Sequence, residues 1–444
     1  MFDKAATRYA SSLVMPRPLD RNQRGTDGLV ELSVEGLGAQ GDGIAERGGE
    51  PVFLPFTVPG DRVRAQLGAR RGGGREGRVV EWLDAGKGRA EPPCAHFGRC
   101  GGCAIQHLAP ASYRTLKLRA LNSALERVGI NPGPVQPLRV VPPERRRARL
   151  GMIRPGAPRL PASIGFRERF RHDLVDLAEC PVLEPALFAV VDELRLVAGD
   201  LMPPGGTAEV TLTRTDSGID VLLEAPERPR LGALEALAAF AGKYDLARIV
   251  WRLPGQEILV VERRPVRVLL SGVAVPYPPG VFLQASAAAE AILVDETLAG
   301  IGPCRPVVDL YAGLGNFTFA LAAGGPVHAV EGDERSVAAL ARAAAGQRGI
   351  TVERRDLARN PLPPEALSTY AAAVFDPPRL GAAGQAAALA ASALATVVAV
   401  SCNPATFARD AAQLIAGGFR LERLVPVDQF VWTPHLEIVA LFRR

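Results

Sequence analysis

Three textures follow one another along the chain. From Leu29 to about Trp82, apolar and polar positions alternate over short runs, LVELSVEGL, GDGIAE, PVFLPF, DRVRAQL and GRVVEWL, separated by glycine-rich or Pro-Gly turns. A period of two marks a strand with one buried face. Five such strands in under sixty residues predict a small closed β-barrel over 27–84, a shape often used to bind oligonucleotides. A purely structural β-domain fits the same spacing equally well. Residues 1–26 have mixed polarity without a period and read as a tail.

The second texture, over 85–270, predicts a central mixed α+β domain, largely antiparallel. It holds a cluster of cysteines, a helix over Thr115–Gly129, and the strand-like runs AEVTLTR, IDVLLEA, ARIVWRL and RPVRVLL. The third, over 271–444, alternates apolar runs (PVVDL, PVHAVE, ITVERRD, YAAAVFDPP, TVVAVSCNP) with alanine-rich helical segments. The first of those helices is SAAAEAILVDETLAG, with Ser286 as its expected N-cap. That alternation is the pattern of an α/β domain with a doubly wound parallel sheet, closed by the final strand LEIVALFRR.

Composition changes this picture only slightly. With 444 residues, two or three domains are expected. No apolar run is long enough for a membrane span and the first residues lack a secretory core, so we expect a cytoplasmic enzyme, monomeric and without a membrane partner. A net charge of +5 is uninformative, but its distribution is not. Arginine clusters at Arg70, Arg71, Arg75 and Arg78, at Arg145, Arg146, Arg147 and Arg149, and at Arg167, Arg169 and Arg171 suit contact with a phosphate backbone. Any one of them alone reads as solvated surface.

Candidate chemistry lies at the strand ends of the third region, where open α/β sheets collect their ligands. Val307–Asp309 runs into Tyr311-Ala312-Gly313-Leu314-Gly315-Asn316, a glycine turn that lets backbone approach a ligand closely. The next strand ends in Glu331, placed to accept two ribose hydroxyls, and the third in Asp356, placed near an adenine edge. The full dinucleotide spacing G-x-G-x-x-G is absent, which favours S-adenosylmethionine over NAD. The fourth strand ends Asp376-Pro377-Pro378-Arg379 and the fifth Ser401-Cys402-Asn403-Pro404. A cysteine there can be a nucleophile or a buried structural thiol; Cys304 is assigned to the latter. Methylation of uracil carbon 5 needs such a thiolate, because addition at carbon 6 makes carbon 5 nucleophilic, and it needs a base for the carbon 5 proton. Glu437 is the candidate base.

At these residues the sequence resembles the RNA uracil-5 methyltransferase family. The matching segments are Phe282–Gln284, Asp309–Ala322, Phe375–Gly381, Val400–Asp410 and Pro434–Phe442, in the order that family shows. The resemblance implies a class I, Rossmann-like methyltransferase domain, with Cys402 as nucleophile and Glu437 as base. It implies that Gln284, Tyr311, Asn316, Glu331 and Asp376 hold S-adenosylmethionine, with Asp356 a further contact and Arg379 near the substrate. Residues 27–84 are similar to the RNA-binding TRAM barrel. Cys94-x5-Cys100-x2-Cys103 with Cys180 resembles the four-cysteine [4Fe–4S] site of the ribosomal RNA members; as residues alone, four thiolates suit zinc or iron–sulfur. Ribosomal RNA is therefore the expected substrate ahead of transfer RNA. The chain departs from the family at Ala312, usually cysteine, at Ser286, usually asparagine, and at the single His435 before the terminal glutamate.

Overall fold

The computed structural model describes residues 28–131, 133, 135–157, 160–169, 171 and 173–444; the tail expected at 1–26 lies outside the described residues. The chain packs as two compact units. One runs to Ala120 and takes in Phe166–Glu179 and Trp432–Pro434; the other comprises Leu121–Gly165, Cys180–Val431 and His435–Arg444.

In the first unit the run LVELSVEGL is two strands, not one, because its pairing switches after Ser33 from the strand Arg62–Arg71 to the strand Gly43–Arg47. The sheet therefore has six strands, in the order Leu29–Ser33, Arg62–Arg71, Gly74–Asp84, Glu50–Leu54, Gly43–Arg47, Gly36–Leu37. It curls into a barrel-like form, with the Glu35 N–H donating to the Ile44 carbonyl at 2.9 Å beyond the first strand. Inward side chains from alternate positions (Leu32, Val52, Leu54, Val63, Ala65) fill its core. Asp61 is buried beneath it, but its carboxylate is satisfied by the amides of Val58 and Gly86, both at 2.8 Å, and by Arg89. The helix expected from Thr115 begins earlier, at Pro110, because proline is tolerated in a first turn whose amides have no helical partner.

The second unit contains a central sheet and a larger, mostly parallel sheet. In the central sheet Arg147–Ile153, Thr207–Thr215 and Gly218–Glu224 pair antiparallel. Gly218–Glu224 then pairs parallel with Arg248–Leu253, a departure from the antiparallel pattern, through the crossover helix Leu231–Lys243.

The third texture forms a sheet of seven strands that we label β1 (Val307–Leu310), β2 (Val327–Glu331), β3 (Ile350–Arg354), β4 (Ala372–Phe375), β5 (Thr396–Ser401), β6 (Arg420–Asp428) and β7 (Glu437–Arg443). Their order is β3-β2-β1-β4-β5-β7-β6, with the short strand Arg139–Val140 added beside β6. β1 to β5 pair in parallel, and β7 runs antiparallel between β5 and β6. The strands β1, β4 and β5 are buried along their whole length, as parallel strands covered on both faces must be. Alternate side chains serve two cores. Val308, Leu310, Phe375, Val397 and Ile438 face one side; Val307, Val374, Val398, Val400 and Val439 face the other. Among the described residues no helix is long and apolar enough to cross a membrane.

Candidate active site

The loop after β1 is shaped by backbone before any side chain is considered. Tyr311, Gly313 and Gly315 all take positive φ, 63°, 56° and 97°, the left-handed region that only glycine enters without cost. A Cβ on Gly315 would lie 2.6 Å from the Phe319 ring and 2.7 Å from Leu340, so this position admits no side chain. At Gly313 the same direction is open. The Gly313 N–H donates to Glu331 Oε2 at 2.8 Å, and the N–H groups of Gly332 and Asp333 donate to Oε1 at 2.7 Å each. Glu331 at the end of β2 is thus fixed by three amides. Nearby on the same loop, the buried Nδ2 of Asn316 has no protein partner. A buried donor left open beside a fixed carboxylate is what a polar nucleoside ligand would satisfy, so the residues present fit S-adenosylmethionine.

Beneath the loop lies a carboxyl that was not singled out from sequence. Asp309, on β1, is fully buried; Thr318 donates its hydroxyl to Oδ2 at 2.5 Å while Oδ1 has no partner. Burial pushes its pKa up to about 7, against the opposing Thr318 hydrogen bond. Asp356 behaves differently. It is exposed, and its Oδ1 accepts the amides of Ala358 and Arg359 at 3.1 and 3.3 Å.

At the other end of the crevice, strand register decides which groups meet. Ser401, the last residue of β5, is paired with Ile438 of antiparallel β7. Cys402 and Glu437 are the adjoining residues, one leaving β5 and one entering β7, so the ladder itself sets thiol beside carboxyl. The turn is held rigidly: Asn403 caps the following helix (Pro404–Ala416) by accepting the Ala405 N–H at 3.1 Å, and Pro404 fills its first position. Asn403 Nδ2 and the Thr406 hydroxyl both donate to the Arg379 carbonyl, at 3.0 and 3.2 Å. The loops after β4 and β5 are thereby one piece. Arg379 also donates from its guanidinium to His435 Nδ1 at 3.1 Å.

The electrostatics follow from burial. Glu437 is buried and its acidity is pushed well above the usual carboxyl range, first by desolvation and then by Asp376. Desolvation raises Asp376 to about 7. The Cys402 thiol is pushed up to about 12 by burial and by both carboxyls, with Arg379 pulling the other way. Cys402 at rest is therefore a thiol, not a thiolate. Joining the two carboxyls are Gln284, whose Nε2 lies 3.4 Å from Asp376 Oδ2, and Gln429, whose Nε2 lies 2.9 Å from Gln284 Oε1 and 2.8 Å from Glu437 Oε1. Gln429 was not anticipated. Its only trace in the sequence is a polar pair, Asp428-Gln429, that follows the apolar run Leu424–Val427 of β6.

Of the expected residues, Gln284, Asp376, Cys402 and Glu437 come together; Tyr311 and Asn316 lie on the loop after β1, and Glu331, at the end of β2, is tied to that loop by the Gly313 N–H. The second arginine cluster is not a phosphate grip as a whole. Arg146 is buried, donating through Nε to the Gln284 carbonyl at 2.9 Å and pairing with Glu290, and Arg147 donates to the Gly280 carbonyl at 3.1 Å. Their charge is spent holding the segment that carries Gln284. The expected cluster ligands fare less well. Cys94, Cys100 and Cys103 belong to the first unit and Cys180 to the second. Among the described residues no three histidine, cysteine, aspartate or glutamate side chains are arranged to hold a metal ion. The geometry gives the [4Fe–4S] expectation no support.

The chain is similar to known RNA methyltransferases. The profile of the tRNA (uracil-5-)-methyltransferase family matches residues 352–444. An RNA methyltransferase of Brucella suis is 39% identical over 93% of this chain and 98% of its own. The 23S rRNA (uracil(1939)-C(5))-methyltransferase RlmD of Halomonas elongata is 34% identical over 97% of this chain and 92% of its own. Among solved structures, the tRNA (uracil-54, C5)-methyltransferase of Pyrococcus abyssi, in complex with S-adenosyl-L-homocysteine, superposes with a TM-score of 0.69. It covers 93% of this chain and 100% of its own at 22% identity, a likeness of fold.

Proposed function

The chain belongs to the RNA uracil-5 methyltransferase family, and from that premise we propose that it methylates carbon 5 of a uridine in 23S ribosomal RNA through a bond between Cys402 Sγ and uracil carbon 6. Support for ribosomal over transfer RNA is the 34% identity to the Halomonas enzyme across nearly the whole of both chains. In this reading 27–84 grips RNA, 85–270 is the central domain, and 271–444 carries the chemistry. Gln284, Tyr311, Asn316, Glu331, Asp356 and Asp376 would hold S-adenosylmethionine, which supplies the methyl group on a sulfonium.

The observation that carries the reading is the β5–β7 register, which sets one thiol and one buried carboxyl side by side at the carboxyl end of β5. Cys402 releases its proton to solvent as the Sγ–C6 bond forms, and the ring electrons shift to carbon 5. Once carbon 5 has taken the methyl group, Glu437 removes its proton, the C5–C6 double bond re-forms, and the C6–Sγ bond breaks with its electrons returning to sulfur. After elimination the proton taken by Glu437 returns to the sulfur, so one proton is released per turnover. Because burial holds the thiol near 12, its ionisation belongs to the substrate complex, in which Arg379 is the cation on hand.

The test is methyl transfer from labelled S-adenosylmethionine to ribosomal RNA and to transfer RNA, alongside RNA carrying 5-fluorouridine. Ribosomal RNA is expected to be labelled, and the fluorinated RNA to be trapped as a denaturation-resistant adduct, since it offers no carbon 5 proton. Methylation surviving in Cys402→Ala overturns the mechanism, and labelling of transfer RNA alone overturns the substrate.

A further inference from the structure

Glu437 does not meet its surroundings evenly. Oε1 accepts an N–H from Gln429 at 2.8 Å, whereas Oε2 is buried with no protein partner. Gln429 is itself buried, and its Nε2 uses both hydrogens, one on Glu437 Oε1 and one on Gln284 Oε1. The Gln284 amide passes its own Nε2 to Asp376 Oδ2. The amide orientations follow from this network: Gln284 and Glu437 each present an acceptor, so the end of Gln429 between them is the amino group. Three side chains from separate segments, β7, the end of β6 and the loop before the first helix of the domain (Ala287–Ile301), thus form one line from base to cofactor-side carboxyl.

We propose that Gln429 is a positioning residue for the methyl-transfer reaction, holding Glu437 by Oε1 so that Oε2 is the oxygen that receives the carbon 5 proton. This rests on Glu437 being the base. A carboxyl on a two-carbon stem can otherwise rotate and present either oxygen, or neither, to the ring. A donated N–H favours the ionised form that a base must adopt. Tethering through Gln284 to Asp376 registers that oxygen against the side of the crevice where the methyl group arrives. Gln429 touches neither ring nor donor. Its effect falls on the second half of the reaction: the proton leaves carbon 5 for Oε2, the double bond re-forms, and sulfur departs.

The experiment separates the two halves. Adduct formation with 5-fluorouridine RNA reports addition and methyl transfer; the lifetime of the adduct with ordinary RNA reports elimination. Gln429→Met, of similar length and without a donor, is expected to lower kcat about 10- to 100-fold, the range of one charge-assisted hydrogen bond. KM for both substrates should stay within about threefold, fluorinated adduct should form at the wild-type rate, and the adduct with ordinary RNA should persist. Gln429→Asn, which keeps an amino group one carbon short, should give an intermediate elimination rate and serves if the methionine variant does not fold. Equal slowing of both halves, or an unchanged adduct lifetime in a folded variant, overturns the proposal. Glu437→Gln is run in parallel. If it fails to accumulate adduct, the base assignment itself has failed; if it does while both Gln429 variants do not, only the positioning role has.

Discussion

The two glutamates of this crevice, Glu331 and Glu437, are held in opposite ways. Glu331 accepts three backbone amides at 2.7 to 2.8 Å. Glu437 has a single side-chain donor, a bare second oxygen and a like-charged neighbour in Asp376. Backbone amides cannot move without moving the strand, so the first carboxylate is a fixed acceptor. The second is costly to ionise where it lies, and a carboxyl of that kind is suited to take up a proton. In the proposed reading, the ligand-holding end and the reacting end therefore differ less in residue type than in how completely each group is satisfied before substrate arrives.

That contrast can be broken most sharply at Glu437. Glu437→Gln keeps the shape and removes the base, so turnover should fall by roughly 10²- to 10⁴-fold, the usual worth of a general base, with binding of S-adenosylmethionine unchanged by calorimetry. A variant that still turns over normally removes Glu437 from the reacting end. Glu331→Ala should do the reverse: affinity for S-adenosylmethionine falls about 10- to 100-fold, the value of one or two charge-assisted hydrogen bonds, while single-turnover methylation at saturating cofactor changes little. Equal loss in both measurements would merge the two ends.

The smallest effect, on stability, lies at Asp309. Its folded-state pKa of about 7 lies above the ordinary carboxyl value. The group takes up a proton on folding, so the fold loses stability as pH rises from about 4 towards 7. Asp309→Asn keeps an acceptor for Thr318 and removes that penalty. Its melting temperature relative to wild type should be more favourable at pH 8 than at pH 5, and a difference independent of pH would show that Asp309 is not buried at the cost its surroundings imply.

Most of the reacting end was legible in the residues themselves. Cys402 and Asp376 lie where apolar runs stop, and in a parallel sheet those stops share one edge. Glu437 was legible only in part, because nothing in LEIVALF says that β7 slots between β5 and β6. Antiparallel insertion is a long-range event, and without it the carboxyl is an ordinary glutamate on a strand. Gln429 was invisible for the same reason: an amide after a strand acquires meaning only from what it lies against. Arg146 misled because charge runs are read as surface, whereas this guanidinium is buried on carbonyl and carboxylate oxygens. The barrel-like sheet was nearly complete in the alternation, apart from the change of pairing partner after Ser33.

Asn403 also bears on how the enzyme ages. Asparagines at exposed turns commonly decay when the next residue's backbone nitrogen attacks the side-chain amide and releases ammonia. At this turn the next residue is Pro404, whose nitrogen carries no hydrogen and is locked in its ring. The amide that caps the helix and grips the Arg379 carbonyl is thus shielded from the commonest spontaneous lesion of its residue type. The turn that presents Cys402 is chemically durable as well as rigid.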